Sequence, residues 1–137
     1  MALPNGAGGY QLGDGNLNEV DFIVVPAPAT ATATATLTAA QVLNGILLGS
    51  PGSSAASYTL PTVADLETAL PSADKAGVSF DFSVVNVDGS GSGVITLVTN
   101  TGWTLVGLMT VVATAGTAQM FRARKSGTGT WSLYRIG

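Results

Sequence analysis

Few side chains in this sequence could carry chemistry. There is no His and no Cys, so the commonest general base, the commonest metal ligand and all thiolate chemistry are missing. What remains is a handful of acids and hydroxyls. Asp65 and Glu67, two residues apart in TVADLETAL, have the spacing of paired carboxylates, yet they fall where a helix begins, and an acid there is stabilised by the positive end of the helix dipole. Asp88 opens DGSGSG; a calcium loop needs carboxylates at alternate positions, and one acid followed by serines suits a hairpin turn instead. The serines of GSPGSS have only Lys75 and Lys125 as lysine partners, so a serine nucleophile has little to take its proton. GAGGYQ near the N-terminus lacks the preceding strand and following helix of a phosphate-cradling loop. The expectation is a chain that is not an enzyme and takes no cofactor or metal.

Composition points the same way. Of 137 residues only 9% are charged while 46% are hydrophobic, the reverse of a disordered chain, and the length suits one domain with one core. So little charged surface fits a chain that hides part of its exterior against a partner. The net charge of −3, without a basic stripe backed by aromatics, excludes a nucleic-acid binder. MALPNGAGGYQ has no basic start followed by an apolar stretch and does not read as a secretory signal. Residues 89–121 carry no charge, and VITLVTNTGWTLVGLMTVVATAG is about as long as a membrane span. Its Thr, Asn and Gly residues and its β-branched character make it strand sequence, so no membrane partner is expected.

The elements that would position these residues are mostly strands. Residues 1–21 have scattered Leu3, Tyr10, Leu12 and Leu17 among glycines and no periodicity, which reads as an extended Gly-rich arm; residues 22–137 form a single β-domain. FIVVP reads as a short strand ended by Pro26 and Pro28. Thr38 and Gln41 have capping-box spacing and Gly45 stands where a helix ends, predicting a helix over 39–44; Thr62 caps a second over 63–70, stopped by Pro71. ILLGSPGSSAASYTLP gives two short strands around a loop. The last sixty residues, apolar β-formers separated by Gly-containing turns, predict five strands in a meander. In the strand over 103–112, Trp103, Leu105, Met109 and Val111 face one way and Val106, Leu108 and Val112 the other. A strand apolar on both faces needs cover on both, from a second sheet or another subunit. All eight acids lie between Asp14 and Asp88, and four of the five basic residues, Arg122, Arg124, Lys125 and Arg135, lie in the last sixteen. Either a solvated strand face or charge matching between subunits accounts for that sorting.

The run PATATATATLTAAQ, Pro28–Gln41, is strictly alternating. As one strand it puts Ala29, Ala31, Ala33 and Ala35 on a narrow side that permits close approach, near a symmetry axis or against a facing sheet, and Thr30, Thr32, Thr34, Thr36 and Thr38 on the other. On that reading Ala33→Leu disrupts assembly and Thr34→Val is tolerated. An ice-binding row needs several Thr ranks side by side, and this run supplies one.

TLTAAQ, SYTLPT, the NTGWTL turn and the closing TWSLYRI, over about residues 36–136, resemble a β-rich module of tailed-bacteriophage virion proteins: head decoration (cement) proteins and the C-terminal domains of head fibres and spikes. The resemblance implies an all-β, antiparallel β-sandwich or jelly-roll-like barrel with one or two short helices, acting as a homotrimer on the outer surface of the virion capsid. It implies a partner in the phage major capsid protein. The resemblance does not reach residues 1–35, where head-binding specificity is expected to lie, and Leu3, Tyr10, Leu12 and Leu17 of the arm are the expected capsid contacts. The trimer contact is expected at Ala31, Thr32, Ala33, Thr34 and Ala35 together with Leu105, Met109 and Val111. A head-fibre or tail adhesin that binds a host surface glycan is the alternative; it would present Trp103, Trp131 or Tyr134 openly, where a cement protein buries them.

Overall fold

The computed structural model describes residues 22–137, so the arm expected over 1–21, with Leu3, Tyr10, Leu12 and Leu17, lies outside the described residues. Local signals place both helices. The Thr38 hydroxyl accepts from the Gln41 N–H at 3.2 Å, and the Gln41 side chain accepts from the Thr38 N–H at 2.9 Å, closing a capping box on α1 (Ala39–Leu43). Gly45, at φ 98°, then turns the chain through the left-handed region. Thr62 caps α2 (Val63–Ala69) by accepting from the Asp65 N–H at 3.2 Å.

The strands follow the β-branched and aromatic runs. They are β1 (Ala29–Ala31), β2 (Ala35–Thr36), β3 (Ile46–Gly49), β4 (Ala56–Thr59), β5 (Ser79–Asn86), β6 (Ile95–Val98), β7 (Trp103–Val106), β8 (Thr110–Val111), β9 (Thr117–Gly127) and β10 (Thr130–Arg135). Phe22–Val25, expected as a strand, has no regular structure. Pro26 and Pro28, which carry no N–H, lie between it and β1 and interrupt any continuous ladder.

Two sheets result, ordered β1-β3-β5-β9-β10-β7 and β2-β4-β6-β8. From β1 to β9 each strand lies in the sheet opposite to its predecessor. Two expectations fail for this reason. The sheets are mixed, not antiparallel: β1 with β3, β3 with β5, β2 with β4, β4 with β6 and β10 with β7 are parallel pairs, and only β5 with β9, β9 with β10 and β6 with β8 are antiparallel. The C-terminal strands are not a meander either, since β9 and β10 are the one consecutive pair that are neighbours in a sheet.

Both long apolar runs break where the chain changes sheet. The Ala-Thr run is two strands, β1 in the wide sheet and β2 in the narrow one, joined by a bend at Ala33–Thr34. Residues 103–112 likewise divide at Gly107, φ 99°, into β7 and β8.

The inward faces of both sheets meet in one core. Phe82, Val84, Phe121, Trp131 and Leu133 of the wide sheet and Tyr58, Ile95, Leu97 and Val111 of the narrow one are almost fully buried, and Val42, Val63 and Leu66 of the helices join them. Aromatic rings stack along the wide sheet, Phe82 with Phe121 at 5.7 Å, Phe80 with Trp131 at 5.8 Å and Trp131 with Trp103 at 6.2 Å between centroids.

Polar side chains fasten the crossings. Asn86, fully buried at the end of β5, donates to the Gly93 and Val112 carbonyls at 2.9 and 3.0 Å and accepts from the Gly89 N–H at 2.7 Å. It thereby ties the wide sheet to the entry of β6 and the exit of β8. Asn86→Ala leaves the Gly93 carbonyl and the Gly89 N–H without these partners, at about 1–3 kcal/mol each, while the Val112 carbonyl keeps the Thr114 N–H and the Thr117 hydroxyl. The expected outcome is a stability loss of about 3 kcal/mol or more in urea denaturation, which is several times the effect of an exposed control such as Ser90→Ala.

Candidate interaction surfaces

Several of the residues that could have done chemistry have structural partners. Glu67 projects from α2, where its Oε2 accepts from the Lys125 Nζ at 2.7 Å and from the Trp131 Nε1 at 3.2 Å. Lys125, on the inward face of β9, is nearly buried and also donates to the Ala73 carbonyl at 2.9 Å. The Lys125 hydrogen bond first, then that of Trp131, holds the Glu67 carboxyl below its ordinary range. Asp65 contributes its N–H to the Thr62 cap and lies in the first turn of α2, as the helix-start reading expected. Asp88 accepts from the Gly52 N–H at 3.0 Å and pins one loop to the next. Arg122 and Asp81, facing each other across β9 and β5, form a two-point exposed ion pair at 2.7 and 3.0 Å. Its guanidinium lowers the Asp81 carboxyl. Two of the four C-terminal cations thus meet acids of their own chain, which accounts for much of the charge sorting without a partner subunit.

Outside the core, the wide sheet has an outer face left open by the described residues, and its register can be read row by row. Leu48, Val85 and Ala118 form one row, and Ile46, Ser83 and Met120 the next, with Ile136 beside Met120 through its N–H to the Met120 carbonyl at 3.0 Å. Asp81, Arg122, Tyr134 and Val106 form the third, and Ser79, Arg124, Ser132 and Thr104 the fourth. The face therefore grades from apolar to charged. Neither helix covers it, because the buried residues of both helices join the core between the sheets. Ile46, Val106, Met120 and Ile136 are exposed, and Leu108 just beyond β7 is 63% exposed.

The narrow sheet's outer face is different in kind. Thr36, Thr59 and Val98 form one row and Ser57, Thr96 and Thr110 another, uncharged and rich in hydroxyls. A groove of about 530 Å3 between the end of α2 and the start of β5 is lined by Leu70, Pro71, Ala73, Val78, Phe80 and Asp81.

The residues expected at a trimer contact divide. Met109 and Val111 are buried in the chain's own core, so that assignment is corrected: Val111 of β8 and Met109 just before it turn inward beside β6, and they offer no surface to a partner. Leu105 is half-buried on the inward side of β7. Thr32, Ala33, Thr34 and Ala35 are exposed around the bend, and Ala31 packs inward. The narrow side of the Ala run has an intramolecular use. The Tyr58 hydroxyl, from the facing sheet, reaches within 3.0 Å of the Ala31 and Thr32 carbonyls, an approach that small side chains on β1 allow. Met120, Ile136, Ile46 and Leu48 were not anticipated as surface. Alternation in AQMFRARKS was the available signal, since it sets Met120 on the side of Arg122 and Arg124.

Comparisons of the chain with protein families, with characterised proteins and with solved structures find no match.

Two outcomes follow from this geometry. Thr34 accepts from the Ser57 N–H at 3.0 Å, so Thr34→Val costs about 1 kcal/mol, whereas Ala33→Leu at the exposed bend leaves the melting temperature unchanged; calorimetry on both reverses the order expected from a continuous strand. Glu67→Ala strands a nearly buried ammonium and costs about 3 kcal/mol in chemical denaturation. Because the folded carboxyl is held low, the stability it contributes is complete above the ordinary glutamate range and is lost as pH falls through the folded value. Glu67→Gln flattens that part of the stability profile.

Proposed function

We propose that this chain is a structural subunit that assembles with itself and decorates a bacteriophage head: a trimeric capsid decoration protein on the outer surface of the virion. In this reading the two sheets form a sandwich, jelly-roll-like in proportion though mixed in strand direction. The resemblance of TLTAAQ, SYTLPT, NTGWTL and TWSLYRI to virion modules supplies the setting. The observation that carries the self-assembling part is the uncovered apolar end of the wide sheet's outer face, Ile46, Leu48, Val85, Met120 and Ile136, in a chain with few charges to keep it apart from a partner.

The mechanism is mechanical. A trimer seated where capsid subunits meet adds interface that outward pressure from packaged DNA must also break. Standard interfaces bury roughly 1,600 Å2 in total, and three copies held together convert modest contacts into avidity. The arm over 1–21, with Leu3, Tyr10, Leu12 and Leu17, is the segment assigned to the major capsid protein.

The glycan-binding adhesin is less well supported. Stacking on a sugar needs an open aromatic face; Trp103 is nearly buried with its Nε1 donating to the Pro61 carbonyl at 2.7 Å, Trp131 is fully buried, and Tyr134 is half-buried.

The test is to mix the purified chain, with and without residues 1–21, with undecorated phage heads and image them. Full-length protein is expected to appear as regular outer densities, with heads that survive higher temperature. Bare heads would remove the decoration reading; equal binding by the shortened chain would remove the arm's role alone.

A further inference from the structure

Phe22, Ile23, Val24 and Val25 are four consecutive large apolar residues on the surface, Val24 being 99% exposed. Among the described residues their backbone groups make no hydrogen bond. The next fixed point along the chain is Ala27, whose carbonyl accepts from the Asn44 Nδ2 at 2.9 Å. The segment is strand sequence without a sheet.

The same chain has a sheet edge without a strand. Of the four sheet edges among the described residues, β1 has three residues, β2 and β8 have two each, and β7 has four. Edges are usually blunted by charge or proline, and β7, with the sequence WTLV, has neither; the Trp103 N–H and carbonyl are already engaged by the Asn100 carbonyl and the Thr99 hydroxyl, so an added strand bonds from Leu105 onward. Val106 and Leu108 are exposed beside it and Leu105 is half-buried on its inner side, so an added strand finds apolar neighbours on both faces.

Segment and edge do not meet within one chain. β1 and β7 are the opposite edges of a six-stranded sheet, about 24 Å apart at the usual strand spacing. From Ala27, held beside α1, Val25 reaches about 7 Å and Phe22 about 17 Å. Charge is compatible with the same pairing. Glu19 and Asp21 lie just before the segment in the sequence, while Arg124 stands on the outer face of the receiving sheet; Arg122 there is already paired with Asp81.

We propose that Phe22–Val25 of one copy adds as a strand to the β7 edge of a second copy. The proposal rests on the self-assembly reading above and names its contact. Main-chain hydrogen bonds supply affinity and alternating side chains supply register, as in other strand additions. The contact is heterologous, each copy giving a strand and receiving one, and such contacts close into a ring when the rotation between copies allows; three copies then use every donor and every edge.

The test uses full-length protein in native mass spectrometry and light scattering. Ile23→Asp with Val24→Asp disables the donor, and Val106→Asp disables the edge, with Thr104→Lys as a second edge variant should Val106→Asp lower the melting temperature. The parent is expected to be a trimer. Each variant is expected to dissociate with affinity weakened about thirtyfold or more, the effect of losing a central interface contact. Mixing donor-dead with edge-dead protein restores one intact contact and yields 1:1 heterodimers, which a symmetric contact between like faces would not give. A trimer indifferent to the variants, or variants that fall apart and form no heterodimer on mixing, overturns the strand addition while leaving trimeric decoration intact. A parent that is monomeric at tens of micromolar removes the trimer and this proposal together, and head binding is then read independently.

Discussion

The constraint on which this structure depends is that the chain changes sheet after nearly every strand. Up to β9, no strand is followed in its own sheet by its successor, so ladder hydrogen bonds are made between strands separated in sequence and each crossing must turn a corner. Repeated crossing in one sense brings β1, β3 and β5 side by side in parallel, and β2, β4 and β6 beneath them. Short strands follow, because a chain that must leave its sheet every few residues has no room for long ones. Only the β9–β10 hairpin escapes, and β9 is the longest strand at 11 residues.

Corners place demands on particular residues. At Gly102, φ 93°, a Cβ would lie 2.6 Å from the Val63 Cβ and 2.9 Å from the Gly129 carbonyl oxygen, so NTGWTL needs glycine both for its turn and for the closeness of α2. Where the chain bends between β1 and β2, Tyr58 and Thr34 supply the hydrogen bonds that an uninterrupted ladder would have supplied. Asn86 performs the same service at the crossings after β5 and after β8. These polar contacts act where parallel coils are weakest, at the edges between layers, and they account for a buried Asn, a buried Lys and a buried Tyr in a core otherwise filled by aliphatic and aromatic side chains.

What was legible in the sequence was whatever is decided locally. Capping at Thr38 and Thr62, the left-handed Gly45 and most of the strand positions depend on neighbours a few residues away, and they were found. Pairing depends on residues tens of positions apart, and apolar runs with Gly turns do not say whether the next strand lies beside the last one or across the core from it. Hence a meander was expected where the chain alternates. The double apolar character of residues 103–112 was read as a need for cover on two sides; instead Gly107 splits the run, so that Met109 and Val111 enter the core while Val106 and Leu108 stay exposed. The Ala-Thr run was rightly seen as narrow; that the approaching surface is Tyr58 of the same chain could not be read from alternation.

Alternation between layers also determines what the molecule leaves uncovered. Six strands on one side face four on the other, and α2 makes up part of the shortfall by anchoring Glu67 to Lys125 and Trp131 beneath β9 and β10. With both helices committed to that inner gap, nothing remains in the described residues to lie over the outer face of the wide sheet. A chain with 5 basic and 8 acidic side chains in 137 cannot cover such a face with charge, and two of its basic residues are already held in ion pairs within the chain. The apolar rows around Met120 and the open edge at β7 are thus consequences of the winding, and in the assembly proposed above they are the places where a neighbouring copy would complete the layer that one chain lacks.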